Sequence, residues 1–151
     1  KKINNRDLTI GESLSNSSDG GYIVTGWSIY DNVYYGYLLK TDSEGNLEWE
    51  KYFDIEFGGE ENRCLSVKQT DDNGYVVTGY SRNYSSNFNG KVFLIKFDPN
   101  GDEVWRKSIN TSGNIDGGNS VIQTSDLGYF VTGMYNGGTL LLKTDSEGNY
   151  E

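Results

Sequence analysis

The 151-residue chain has no histidine, one cysteine, one proline and one methionine. Each scarcity removes a class of chemistry. Without histidine, the commonest general base and the commonest transition-metal ligand are missing. With Cys64 alone, neither an internal disulfide nor a thiolate metal cluster can form. The thiol lies in the strand-like segment Arg63-Cys64-Leu65-Ser66-Val67 and is expected to be buried and structural, with no imidazole to activate it. Basic residues are also few: 13 Lys and Arg stand against 22 Asp and Glu, a net charge of −9. Phosphate backbones need clustered cations, so nucleic acid is not an expected partner. No apolar run is long enough to span a membrane. The chain opens directly on polar residues, as a mature or excised segment would. No metal site and no cofactor are expected.

What the chain has instead is glycine (20 residues), tyrosine (12 residues) and repetition. Gly21-Tyr22-Ile23-Val24-Thr25-Gly26 returns as Gly74-Tyr75-Val76-Val77-Thr78-Gly79 and as Gly128-Tyr129-Phe130-Val131-Thr132-Gly133, at offsets of 53 and 54 residues. A second phrase follows each time: Leu38-Leu39-Lys40-Thr41-Asp42, Leu94-Ile95-Lys96-Phe97-Asp98 and Leu141-Leu142-Lys143-Thr144-Asp145, each closed by a turn ending in glycine. Recurrence at this period marks a propeller or another repeat architecture.

The middle repeat shows the expected unit. Leu65 to Thr70 alternates like a strand. Asp71-Asp72-Asn73-Gly74 is a turn, since Asp and Asn bond their own backbone and Gly accepts positive φ. Tyr75 to Tyr80 is a β-branched and aromatic strand. Lys91 to Phe97 is a third strand, apolar on both faces, as stacking from two sides requires. Asp98 to Asp102 is a hairpin turn, and Glu103 to Ile109 is a fourth strand. The expectation is an all-β chain of three tandem four-stranded antiparallel repeats, about 12–57, 65–111 and 119–151, forming the blades of a β-propeller. A β-trefoil is the alternative.

The motifs Asp19-Gly20-Gly21-Tyr22-Ile23-Val24-Thr25-Gly26-Trp27-Ser28 and Leu38 to Lys51 resemble the repeats of secreted bacterial and archaeal β-propeller proteins. The stretches Asp42 to Trp49 and Asp98 to Trp105 are also similar to the tryptophan-docking motif of quinoprotein-like (PQQ-type) propellers, with one residue fewer between Asp and Gly. The resemblance implies a propeller, extracellular or at the cell surface. The third repeat stops at Tyr150-Glu151, where a tryptophan is expected. Lys1 to Asn4 resembles what would follow it. The array is therefore expected either to belong to a longer propeller or to complete its last repeat with residues 1–5. Further blades or a second copy would then be partners.

A four-stranded meander places its second-to-third and inter-repeat connections at one end. Those connections differ between repeats: Ser28 to Gly36, Ser81 to Gly90, Tyr135 to Gly138, Tyr52 to Asn62 and Asn110 to Asn119. Variable loops on a rigid scaffold suit binding. The expected ligand-binding residues are Trp27, Tyr30, Tyr35, Tyr80, Tyr84, Phe88 and Tyr135, facing a glycan or a protein. The leading expectation is a non-enzymatic scaffold or recognition module. The alternatives are a hydrolase or lyase using carboxylates such as Glu56, Glu60, Glu61 and Asp116, and a structural subunit of a surface assembly. The Asp-rich turns are expected to be structural, and Trp49 and Trp105 to pack between repeats.

Overall fold

The computed structural model describes residues 8–55, 61–82, 90–109 and 117–150. These form eleven strands and, among the described residues, no helix. Sheet I is a meander of β1 (Leu8–Asn16), β2 (Tyr22–Tyr30), β3 (Val33–Thr41) and β4 (Leu47–Asp54). Sheet II repeats it with β5 (Glu61–Gln69), β6 (Tyr75–Arg82), β7 (Gly90–Phe97) and β8 (Glu103–Ile109). Sheet III has β9 (Gly117–Gln123), β10 (Tyr129–Tyr135) and β11 (Gly138–Thr144). All pairings are antiparallel, and the three sheets are separate, not joined edge to edge as a trefoil barrel would be.

The sheets stack face to face. Strand β5 lies against β1, β2 and β3, and β9 lies against β5, β6 and β7. The seam between sheets I and II holds Ile23, Leu38, Val67, Val77, Phe93 and Ile95 in one buried cluster. The seam between II and III holds Val76, Val92, Leu94, Val121, Tyr129 and Val131 in another. Sheet II is therefore apolar on both faces, which explains the unbroken run Phe93-Leu94-Ile95. The first strands of neighbouring sheets are also tied by side chains: Ser13 Oγ accepts from Val67 N at 3.4 Å, and Ser66 Oγ from Val121 N at 3.3 Å.

The repeated hexapeptide follows from these contacts. A Cβ on Gly21, Gly74 or Gly128 would collide with the carbonyl oxygen of Thr41, Phe97 or Thr144. A Cβ on Gly26, Gly79 or Gly133 would collide with the carbonyl of the first strand, which bulges there. The threonine hydroxyl donates to the third strand, Thr25 to Tyr37 O at 2.8 Å and Thr78 to Phe93 O at 2.7 Å. The tyrosine meets the tryptophan of the preceding sheet: Trp49 lies edge-on to Tyr75 at 5.9 Å and Trp105 to Tyr129 at 5.6 Å. Both tryptophans are inter-sheet packing groups.

The strands run further than the sequence suggests. The segment Ser28 to Gly36, expected as a long loop, is the paired ends of β2 and β3 around the two-residue turn Asp31-Asn32, with φ of 50° and 60°. Tyr135 to Gly138 is likewise closed by Asn136-Gly137, with φ of 48° and 77°. Tight twist-matched hairpin turns need positive φ at both central residues, and Asp, Asn and Gly tolerate it. Residues 1–7, including the segment expected to complete the last repeat, lie outside the described residues.

Candidate functional site

The six short turns that join first to second and third to fourth strands lie at one end of the sheets. There they bond their own backbone and also reach across the seams, Ser18 N to Gln69 Oε1 at 2.7 Å, Asp71 N to Gln123 Oε1 at 2.8 Å and Lys51 to Asp102 at 2.7 Å. In the third-to-fourth-strand turns, Asp42 Oδ1 accepts from Glu44 N at 2.9 Å and Asn46 N at 2.8 Å. Asp98 and Asp145 do the same for Asn100 and Asp102, and for Glu147 and Asn149. The Asn46 and Asn149 side-chain amides, followed by these backbone bonds, hold Asp42 and Asp145 below the usual range, and the Asp102 N–H leads for Asp98. In the first-to-second-strand turns, Asp19, Asp72 and Asp126 each cap a glycine N–H and pair with a lysine reaching down from the third strand. Lys40–Asp19 is 2.7 Å, Lys96–Asp72 2.9 Å and Lys143–Asp126 2.8 Å. Each ammonium also donates to the carbonyl of the residue after it, at 2.9 to 3.0 Å. The Lys40 hydrogen bond, followed by the Gly21 N–H, brings the Asp19 carboxyl down to about 2. Burial alone would raise Asp72; the Thr70 hydroxyl, Lys96 and the Gly74 N–H together bring it to about 2. Lys143 leads the causes that place Asp126 well below the usual carboxylate range. The lysines were not read as site or turn partners from sequence, although a Lys breaking the same apolar run three times was the signal.

The opposite end carries a charged and aromatic cluster at the seam between sheets I and II. Glu61, at the start of β5, is 2 % exposed and accepts a 2.7 Å ion pair from Arg63 and a 3.3 Å pair from Arg82. The Tyr80 hydroxyl donates to its Oε1 at 3.1 Å. Strand pairing makes the cluster, because Glu61 faces Arg82 and Arg63 faces Tyr80 in the β5–β6 register. The guanidinium of Arg63 then crosses the seam and lies 4.5 Å from the ring centroid of Trp27, while Arg82 lies 4.7 Å from that of Tyr80. Trp27 is fixed in turn: its indole N–H donates to Glu12 at 2.8 Å, and Tyr34 lies beside it at 5.5 Å. Glu12 is the extra residue of the β1 bulge, which is why it can turn to the indole. Burial, and then the Glu61 carboxylate, push the Tyr80 phenol up, against the two arginines. Arg63 Nε and the buried Ser81 Oγ have no hydrogen-bond partner among the described residues.

The expected binding residues that are described separate into three groups: buried, half-buried and exposed. Trp27, 5 % exposed, is a buried support under Arg63 and not a surface platform. Tyr80 and Tyr35 are half-buried, and Tyr135 lies beside the Asn136-Gly137 turn. Tyr30 stands out at 55 % exposure, next to Asp31. Tyr84 and Phe88 lie outside the described residues. Of the four expected carboxylates, Glu61 is a strand residue already engaged by two guanidinium groups; Glu56, Glu60 and Asp116 lie outside the described residues. Cys64 is fully buried against Gly36, and burial pushes its thiol up to about 12. It is a packing group at neutral pH.

No family model matches the chain, and no curated protein matches it. Among solved structures, it is similar to a protein of unknown function from Bacteroides caccae, with a TM-score of 0.51 at 9 % identity. The match covers 95 % of this chain and 48 % of that one, so the chain spans about half the length of that protein. At this identity the likeness concerns the fold alone.

Proposed function

We propose that the three sheets are consecutive blades of a β-propeller. On this reading the chain is a non-enzymatic recognition or scaffold module of a secreted or cell-surface protein, docking a glycan or a protein on the end that carries Tyr30, Tyr35, Tyr80 and Tyr135. The observation that carries this reading is the contrast between the ends. The short-turn end repeats the same self-paired Asp and Lys groups in every sheet. The other end gathers Trp27, Arg63, Glu61, Arg82 and Tyr80 at the seam between sheets I and II. Among the described residues the next seam has no such cluster, with Gly117 and Met134 at the positions of Arg63 and Tyr80. Aromatic rings and arginines dominate recognition surfaces, because they bury large areas and offer directed donors. The engagement of Glu61 by Arg63 and Arg82 favours a supporting role over acid–base work, which needs a carboxyl free to exchange protons. The strongly acidic composition suits a soluble exterior.

A glycan array and a pull-down with the purified chain test the reading. Tyr30→Ala and Arg63→Ala should each weaken whatever binds by about tenfold, the size of a modest anchor. Binding that survives both changes but is lost with substitutions at Asp42 or Asp98 would move the ligand to the opposite end.

A further inference from the structure

On the two outer faces of the stack, positions that are buried at the internal seams carry exposed leucines. Leu38 of sheet I and Leu94 of sheet II are 0 % exposed, each covered by the next sheet. Their counterpart in sheet III, Leu141, pairs with the repeated threonine in the same register and is 66 % exposed. Ser13 and Ser66 each accept an N–H from the first strand of the following sheet; Ser120 holds that position in β9. The far side of sheet I shows the reciprocal pattern. Val67 and Val121, which face the preceding sheet, are 0 % exposed, whereas their counterpart Leu14 is 59 % exposed. The turn glycines Gly101 and Gly148 sit under Trp49 and Trp105, but Gly45 has nothing within 4 Å of a Cβ position.

We infer that the outer face of sheet III docks the outer face of sheet I in a second copy of this chain, head to tail, reproducing the seam between sheets I and II. The inference does not depend on what the aromatic end binds. The face is not merely apolar. It presents Leu141 beside a hydroxyl, Ser120, at the height where each internal seam places a hydroxyl for the neighbour's first-strand N–H. A sheet of this same repeat answers both features, and Leu14 on the edge strand β1 stands where Val67 and Val121 deliver that N–H. Such a contact is heterologous, using two different patches, so two copies can close on each other through two identical seams.

Sedimentation equilibrium of the whole chain is the test. Leu141→Asp and Leu14→Asp each put a carboxylate into the seam and should weaken association about tenfold or more. Both residues are exposed in the single chain, so thermal unfolding of the dilute variants should match the parent and show the fold intact. An equimolar mixture should associate more tightly than either variant alone, because one undamaged pair of faces remains. A chain that stays monomeric at every attainable concentration overturns the second copy as occupant and leaves the faces to further repeats or another protein. Association unaffected by both substitutions, or a mixture no tighter than its components, overturns the assignment of the faces.

Discussion

At the short-turn end the same contacts recur from repeat to repeat, an Asp paired with a third-strand lysine in every sheet and a fourth-strand lysine reaching the next sheet's turn (Lys51 to Asp102, Lys107 to Asn149); at the other, charged and aromatic groups meet at the seam between sheets I and II. The Asp–lysine pair is repeated because it is local. An Asp that caps a glycine N–H in the first turn and a lysine on the third strand need only the sheet they belong to, so every repeat can carry them. The cluster at the other end is not repeated because it needs residues that depart from the repeat: Arg63 stands where Ile10 and Gly117 stand in the other sheets, and it finds Trp27 only across the seam. Polar contacts that recur within each sheet and across each seam build the scaffold, and departures from the repeat inside strands build the candidate site.

The largest effect expected on the scaffold side is at the tryptophans. Trp105→Ala removes the ring that meets Tyr129 and covers Gly148, and should lower unfolding free energy by about 3–5 kcal/mol. A urea titration giving a loss under about 1 kcal/mol would show that the seam does not depend on this ring. The turn glycines sharpen the point. Gly45 and Gly101 have nearly the same φ, +79° and +78°, but only Gly101 lies under a tryptophan, with Trp49 at 2.7 Å from a Cβ position. Gly45→Ala should cost about 1–2 kcal/mol for the backbone alone. Gly101→Ala should cost about 1–3 kcal/mol more for overpacking. Equal losses would mean the indole yields freely.

Much of this scaffold was legible. The hexapeptide recurs because its glycines meet a carbonyl in every repeat, and its threonine and tyrosine make matching contacts at Thr25 and Thr78 and at Tyr75 and Tyr129; such contacts are written at fixed spacing. The strand ends were not legible in the same way. Asp31-Asn32 and Asn136-Gly137 are two-residue hairpin turns, yet the polar and aromatic residues around them read as loops, since strand ends that reach solvent lose their alternation. Glu61 was read as a loop acid for the same reason, although it begins β5. Its partnership with Arg63 and Arg82 depends on strand register, and that of Arg63 with Trp27 on sheet stacking. Neither leaves a pattern in the linear sequence beyond a repeat position occupied out of character.

The lysine–aspartate pairs predict a smaller, pH-dependent effect. Lys96 is buried and Asp72 is its exposed partner. Asp72→Ala leaves the ammonium with the Phe97 carbonyl and loses charged hydrogen bonds, at a cost of about 1.5–3 kcal/mol. Asp19 and Asp72 have folded-state values near 2, below the ordinary 3.8. A depressed carboxyl stabilises the fold above its unfolded value, and that stability drains away as pH falls from about 4 towards 2. Melting temperature should therefore fall over that window, and Asp72→Asn should flatten the slope. An unchanged slope would place the acid sensitivity in other carboxylates.

The smallest stability effect is expected at a residue proposed to contact the ligand, and this contrast tests the division between the ends most directly. Tyr30 is 55 % exposed at the tip of β2, beside a turn that Asp31 and Asn32 already satisfy through their own backbone geometry. Removing its ring gives up little buried surface, so Tyr30→Ala should change unfolding free energy by less than about 0.5 kcal/mol, as exposed substitutions away from caps and cores do. Arg63→Ala sits between the extremes. It loses the contact with Trp27 and one of the two ion pairs of Glu61, so a loss of about 1–2 kcal/mol is expected from the cation–π contact and the weakened support of a buried carboxylate. If Tyr30→Ala destabilised the fold as much as Arg63→Ala does, the tyrosine would belong to the scaffold. The aromatic end would then be a second structural cap, and the binding surface would have to be sought elsewhere on the sheets.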